Sequence, residues 1–278
     1  MKAIRSTGII LAAALLSVKV MAQQTEELRV PLSDPGKPYR LNVGLVTGSI
    51  KITGYDGKEV IVEASGESRN RTRKSEDDDE RKSSGGMRRI NTSGGLDVSA
   101  KEKNNQVTIG TDMPNRTMSL SIKIPNGLST LKVECINNGN ITISNVSGDI
   151  EATNINGNVI LTDVAGSVVA SSVNGTVKAT FKSVDSKAPM AFSTLNGSVD
   201  VTFPANLRAN VKLKSDRGGV YTDFDINADK QIKSTTKSAK DGMYRISIDE
   251  TIYGKVNGGG PEVMMKTMNG SIYMRKGN

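Results

Sequence analysis

The chain has 278 residues, a formal charge of +8, one cysteine, no histidine and no tryptophan. Without histidine, Ser-His-Asp and Cys-His catalysis are excluded and the commonest zinc ligand is missing. A lone cysteine closes no internal disulfide, so whatever holds the fold together is packing and hydrogen bonding.

Met1 to Ala22 has the form of a secretory signal peptide. Lys2 and Arg5 give a positive start, Ile9 to Val18 an apolar core, and Val20-Met21-Ala22 a small-residue cleavage site before Gln23. The apolar run is too short to span a bilayer, and Lys19 ends it. Removing the three cations Lys2, Arg5 and Lys19 takes the formal charge from +8 to +5. That excess suits anionic glycans or headgroups, and it is also an ordinary solubility margin. The expectation is a protein exported through a cleaved leader to the periplasm, cell surface or medium. Its mature chain has no transmembrane segment and no nucleic-acid partner.

Glu27-Leu-Arg-Val, Arg40-Leu-Asn-Val and Val60-Ile-Val-Glu-Ala alternate as strands do, with Ser33-Asp-Pro-Gly and Tyr55-Asp-Gly-Lys as turns. Between about residues 67 and 89 the composition becomes polyampholytic, with Arg69 to Lys74 basic, Glu76 to Glu80 acidic and Arg81-Lys82 basic again. Such a segment cannot bury enough surface to offset its ordering entropy, and a mobile loop is expected. Asp77-Asp78-Asp79 lacks the interleaved spacing and glycine of a calcium loop. Strands resume at Leu96-Asp-Val, Gln106-Val-Thr-Ile and Leu120-Ser-Ile-Lys-Ile. In Leu131-Lys-Val-Glu-Cys-Ile, Cys135 is in phase with Leu131 and Val133, as a buried structural thiol would be.

From Asn137 to Phe181 a nine-residue unit repeats, placing Gly139, Gly148, Gly157, Gly166 and Gly175 at one spacing. Two places before each glycine stand Val146, Ile155, Val164 and Val173, with Asn137 as the exception in the first unit. Two places after come Ile141, Ile150, Val159, Val168 and Val177; four after come Ile143, Ala152, Leu161, Ala170 and Ala179. These positions and the glycine share one parity, so an extended chain turns them all to one face, inward. The hydroxylic residue in the fifth place, followed by Asn145, Asn154, Asp163 or Ser172, supplies corner chemistry. A meander of hairpins on Asn-Gly turns would need apolar residues one place after the glycine, where Asn140, Asp149, Asn158, Ser167 and Thr176 are polar. The pattern therefore predicts an all-β, single-stranded β-solenoid of nine-residue strand-and-corner units; two to a coil give two faces and about 18 residues, and three to a coil give three faces. The unit recurs at Val46-Thr-Gly-Ser-Ile50, Leu195-Asn-Gly-Ser-Val199 and Met268-Asn-Gly-Ser-Ile272, which extends the domain over residues 23–278.

Beyond Thr180 the period loosens and aromatics gather: Phe181, Phe192, Phe203, Tyr221, Phe224, Tyr244, Tyr253 and Tyr273. They suit an end cap, which a solenoid needs, or an aromatic binding surface. Asp229 to Asp241 is rich in lysine and serine and reads as an exposed loop.

These units, with Phe203-Pro-Ala-Asn-Leu-Arg-Ala-Asn-Val211, Gly218-Gly-Val-Tyr-Thr-Asp-Phe224 and the ending Asn257-Gly-Gly-Gly-Pro-Glu-Val263 through Asn269-Gly-Ser-Ile-Tyr273, resemble the bacterial toast-rack family, in its Bacteroidetes form. The resemblance covers most of Val30 to Lys276. It implies a β-solenoid domain often given an adhesin label, and it carries no catalytic residues to transfer.

No phosphate-cradling loop follows the glycines, and the calcium-binding nonapeptide signature is absent. The outward carboxylates Asp149 and Glu151 find no acidic partners in neighbouring units, which argues against a glycosidase pair. The expected function is non-catalytic, needing neither cofactor nor metal. The chain would be an adhesin-like module for glycan or envelope polymer, or alternatively a structural or sensory scaffold docking on an envelope protein. The candidate contact surface is the aromatic, basic C-terminal set Tyr221, Tyr244, Tyr253, Tyr273, Arg217, Lys255 and Arg275.

Overall fold

The computed structural model describes residues 25–66, 97–111, 113, 116–228, 232–240 and 243–277. The expected signal peptide, the charged 67–89 segment and the side chain of Tyr244 lie outside the described residues. Every regular element among the described residues is a β-strand.

The strands form two walls of largely parallel pairs around one shared apolar core. In the first wall the order is Ser99–Lys103, Gln106–Gly110, the start of Tyr39–Tyr55, Leu128–Asn137, Ser147–Asn156, the end of Val159–Asn174, Met190–Asn196, Glu262–Asn269, Ala209–Ser215 and Met243–Val256. The second wall runs Thr25–Pro31, Glu59–Gly66, Met118–Pro125, the end of Tyr39–Tyr55, Ile141–Ser144, the start of Val159–Asn174, Val177–Val184, Val199–Phe203, Ile272–Lys276 and Val220–Thr222. Val159 pairs with both Ile141 and Val177, so the chain returns over itself every 18 residues, two nine-residue units per turn.

The chain is all-β as expected, but it does not form a plain single-stranded solenoid, because the turns are not stacked in chain order. The last turn, Glu262 to Lys276, lies between Met190–Phe203 and Ala209–Thr222, which precede it in the chain. At the other end Tyr39–Tyr55 lies between the Gln106–Pro125 turn and the Leu128–Ser144 turn. Antiparallel strands close both walls at one end and the first wall at the other, where the second wall ends on the parallel strand Val220–Thr222. The physical reason is that each turn presents the same inward face and the same backbone edge, so stacking order is not fixed by order in the chain.

Ile232–Lys240 is a second departure. It forms a strand paired antiparallel to Met243–Val256, where an exposed loop was expected. Its lysines and serines hide the pattern, but backbone pairing needs no apolar side chain, and Thr235 and Thr236 favour the extended form.

The places two and four after each repeat glycine are buried as expected, from Ile141 and Ile143 to Val177 and Ala179. Phe192 and Phe203 are fully buried, and Phe181 lies 9% exposed, stacked on Phe203 at 5.2 Å and edge-on to Phe192 at 6.1 Å. The place two before the glycine follows two rules, depending on which corner it serves. Val146 and Val164 are buried, whereas Ile155, Val173, Leu195 and Met268 are each about 40% exposed. At those outward corners the preceding residue turns in instead: Asn154, Ser172, Thr194 and Thr267 are buried polar groups. Parity alone missed this because it assumed that every corner turns the chain the same way.

Candidate functional site

The asparagine-glycine corner is built in three columns along the stack. Innermost is a column of donors. Cys135 Sγ donates to the Gly48 carbonyl (3.1 Å), Asn154 Nδ2 to Gly139 (2.9 Å), and Ser172 Oγ to Gly157 (2.8 Å). Thr194 Oγ1 continues it to Gly175 (2.7 Å), Thr267 Oγ1 to Gly197 (2.8 Å) and Ser215 Oγ to Gly270 (2.8 Å). Each side chain thus satisfies a corner carbonyl of the adjacent turn, which burial would otherwise leave unpaired. Burial raises the Cys135 thiol above its ordinary range, which keeps it in the protonated form that donates. The Oδ1 atom of Asn154 is buried without a partner.

The glycines form the middle column. A Cβ on Gly139, Gly157, Gly175, Gly197, Gly270 or Gly218 would land on the backbone carbonyl of the next glycine in the stack. Glycine is therefore required by the neighbouring turn's backbone and not, as the parity argument held, by an inward pointing position.

The outer column is an asparagine ladder. Asn269 Nδ2 donates to Asn196 Oδ1 (2.7 Å), Asn196 to Asn174 (2.7 Å), Asn174 to Asn156 (2.9 Å) and Asn156 to Asn137 (3.0 Å). Arg217 Nη1 donates to Asn269 Oδ1 at 3.2 Å and supplies a charged head to the ladder. Beside it runs an outward apolar row of Val46, Ile136, Ile155, Val173, Leu195 and Met268. The first repeat unit departs from the consensus because Asn138 is an extra residue there, held at a positive φ of 57°. That leaves Ile136 and Asn137 in register with the two columns. The signal in the sequence was the alternation of Asn-Gly with Ser-Gly or Ala-Gly at successive corners.

The expected C-terminal set is divided between the walls. On the outer surface of the second wall Tyr221 and Tyr273 stack at 5.1 Å with planes 12° apart, and the Arg275 guanidinium lies 5.1 Å from the Tyr273 ring centre. These residues are distant in sequence and meet only because the last turn is inserted out of order. Arg275 also makes a two-point contact with Asp200, Nε to Oδ1 at 2.7 Å and Nη2 to Oδ2 at 3.2 Å. That hydrogen bond, with the carboxylate charge behind it, raises the arginine's pKa further. Tyr221 is 55% exposed.

On the first wall Tyr253 lies under the Lys212 ammonium, 5.9 Å from the ring centre, beside Lys255, Asn210 and Glu262 around a shallow hollow of about 140 Å³. Arg217 belongs to the ladder. The seven residues are thus not one surface: Tyr221, Tyr273 and Arg275 are brought together, and Tyr253 and Lys255 form a separate group.

The outward carboxylates have structural partners. Asp149 Oδ1 accepts from Ser167 Oγ at 2.6 Å, and Glu151 lies 3.9 Å from Lys132. Among the described residues no three His, Cys, Asp or Glu side chains are grouped to hold a metal. No described helix is long and apolar enough to cross a membrane.

No protein-family model and no curated protein matches the chain. Among solved structures it is similar to a provisionally named cell adhesion protein from Clostridium sporogenes, 12% identical over 92% of this chain and 100% of that one, with a TM-score of 0.44. A provisionally named adhesin from Bacteroides fragilis is 12% identical over 92% of this chain and 98% of that one, at 0.38. A provisionally named lipid binding protein from Parabacteroides distasonis is 10% identical over 91% and 97%, at 0.23. At such identities and scores those names stay with those proteins.

Proposed function

We propose that the chain is an exported, non-catalytic binding module of the adhesin type, a β-solenoid-like unit over residues 23–278 whose ligand is an envelope glycan or related polymer. The observation that carries this reading is the stacked Tyr221–Tyr273 pair with its Asp200–Arg275 rim. An exposed aromatic plane offers apolar contact to the flat C–H face of a pyranose, and a fixed carboxylate-guanidinium pair beside it offers acceptors and donors to hydroxyl groups. The gathering of a flat apolar surface and oriented polar groups on a rigid sheet suits recognition better than turnover. It also replaces the undivided C-terminal surface expected from composition with one specific platform.

A glycan array probed with the mature chain tests this. Binding should fall about tenfold in Tyr221→Ala, the loss of one aromatic stack, with the melting temperature kept. An empty array together with capture of one envelope protein would favour the scaffold reading instead. A loss confined to Tyr253→Ala would move the platform to the first wall.

A further inference from the structure

The inner donors and glycines of the asparagine-glycine corner hold the turns together, whereas the outer apolar row runs in register across six turns and the amide ladder across five of them, both at the surface. We infer that this corner is an extended subsite for a neutral, linear polysaccharide lying parallel to the stack. The inference rests on the glycan reading above and adds a second, separate site to it.

Three features carry it. The first is shape. Six rungs at about 4.8 Å give a row roughly 24 Å long and one side chain wide. Such a row covers a few hundred Å² at most, against about 800 Å² per partner in a stable protein pair. A globular partner or a second copy would gain too little, so the occupant is narrow and lies lengthwise.

The second is the polar lining. Each asparagine within the ladder uses one N–H and one lone pair on its neighbours, which leaves a second N–H and a further acceptor site per rung. The amides are aligned head to tail, with Arg217 at the donor end, so each polarises the next. A row of donor-and-acceptor pairs beside aliphatic side chains matches a sugar chain, which presents hydroxyl groups on its rim and C–H groups on its faces.

The third is charge. From Val46 to Met268 the apolar and asparagine columns contain no ionised side chain; Asp216 and Arg217 lie together at the end, one in each column. An anionic polymer would find no counter-charge along the row, and a neutral one meets no desolvation of charge.

The test uses the mature protein with neutral β-linked glucan and chitin oligomers of increasing length, from disaccharide to hexasaccharide, in calorimetric titration. The corner is disabled by Asn174→Ala with Leu195→Ser, two exposed positions, and fold retention is checked by melting. Affinity for the unaltered protein should rise with oligomer length, and the double variant should lose about tenfold for the hexamer. Disaccharide binding, which needs only the tyrosine platform, should be unchanged. If Tyr221→Ala removes binding at every length and the corner variant removes none, the corner inference is overturned while the platform stands. If only the corner variant weakens binding, the corner stands and the platform falls. Failure of the unaltered protein to bind any neutral oligomer overturns the corner subsite, as does a corner variant whose one effect is to abolish self-association in sedimentation.

Discussion

The two corners of each turn are made from the same nine-residue unit, yet they bury different residues. At the corner carrying Gly148 and Gly166, Val146 and Val164 point into the core, and Asn145 and Asp163 sit at a positive φ of 55° to make the bend. At the corner carrying Gly157 and Gly175, Ile155 and Val173 face out, and Asn154 and Ser172 turn in to hold glycine carbonyls. The first corner packs apolar side chains around a left-handed asparagine or aspartate, with Asn145 Nδ2 also donating to the Gly54 carbonyl (3.1 Å). The second is a hydrogen-bonding device, and by reversing the chain's facing it releases an apolar column and an amide column to solvent. One repeat can therefore serve both as the fold's core and as a patterned surface.

The largest effect expected from this difference is at the glycine column. Gly157→Ala should destabilise by about 3 kcal/mol or more, because the new methyl meets fixed backbone at Gly139. Gly44→Ala, with open space around the site, should leave the melting temperature near its starting value. Equal effects would mean that the turns are not stacked glycine on glycine.

Next in size is the contrast between apolar positions. Val164→Ala should lower stability, read from the shift of the denaturation midpoint, by about 2 kcal/mol, as a cavity in the core does. Ile155→Ala, at the equivalent place in the other corner, should change stability by roughly half a kcal/mol. A similar loss at both positions would return the two corners to one rule.

The inner donor column gives a smaller effect of opposite sign. Asn154→Ser keeps a donor near the Gly139 carbonyl, as Ser172 does for Gly157, and removes the orphaned Oδ1 at the loss of only the longer 3.3 Å bond from Nδ2 to the Asn158 carbonyl. Stability in urea should rise by about 1 kcal/mol. A loss would mean that the two Nδ2 bonds, to the Gly139 and Asn158 carbonyls, outweigh the cost of the orphaned Oδ1.

The smallest effect is pH-dependent. The folded state holds the Cys135 thiol's pKa above its unfolded value, so the native chain binds that proton more tightly. The associated stability is fully present below the unfolded pKa of about 8.5 and declines as pH rises past it. Cys135→Ser, which keeps a donor in the column, should flatten that alkaline decline. An unchanged pH profile would separate the thiol from the stability of this corner.

Much of this architecture could be read from the residues. The inward places after each glycine followed from extended-chain parity, and the 18-residue return was one of the coil forms that the nine-residue period left open. The facing of Ile155, Val173, Leu195 and Met268 did not, because it depends on how each corner rotates the chain, and Asn154 or Thr194 gives no apolar signal when it turns inward. Nor did the pairing of Tyr221 with Tyr273. Turns with the same inward face can stack in any order, and only the assembled backbone puts Ile272–Lys276 beside Val220–Thr222. Cys135 was legible as a buried thiol from its phase with Leu131 and Val133, but its role as one rung of the donor column needed its partner, the Gly48 carbonyl, which lies 87 residues away.

The facing of the asparagine-glycine corner can be measured directly in the last turn, where methionines stand at the deciding places. Met265 and Met274 are fully buried and Met268 is 41% exposed. Mild peroxide treatment of the folded protein, followed by peptide mass analysis, reports which thioethers water reaches. Met268 should oxidise rapidly while Met265 and Met274 resist until unfolding. Oxidation of Met268 and Met274 at one common rate would place them on the same face, and the outward corner, with the subsite built on it, would not exist.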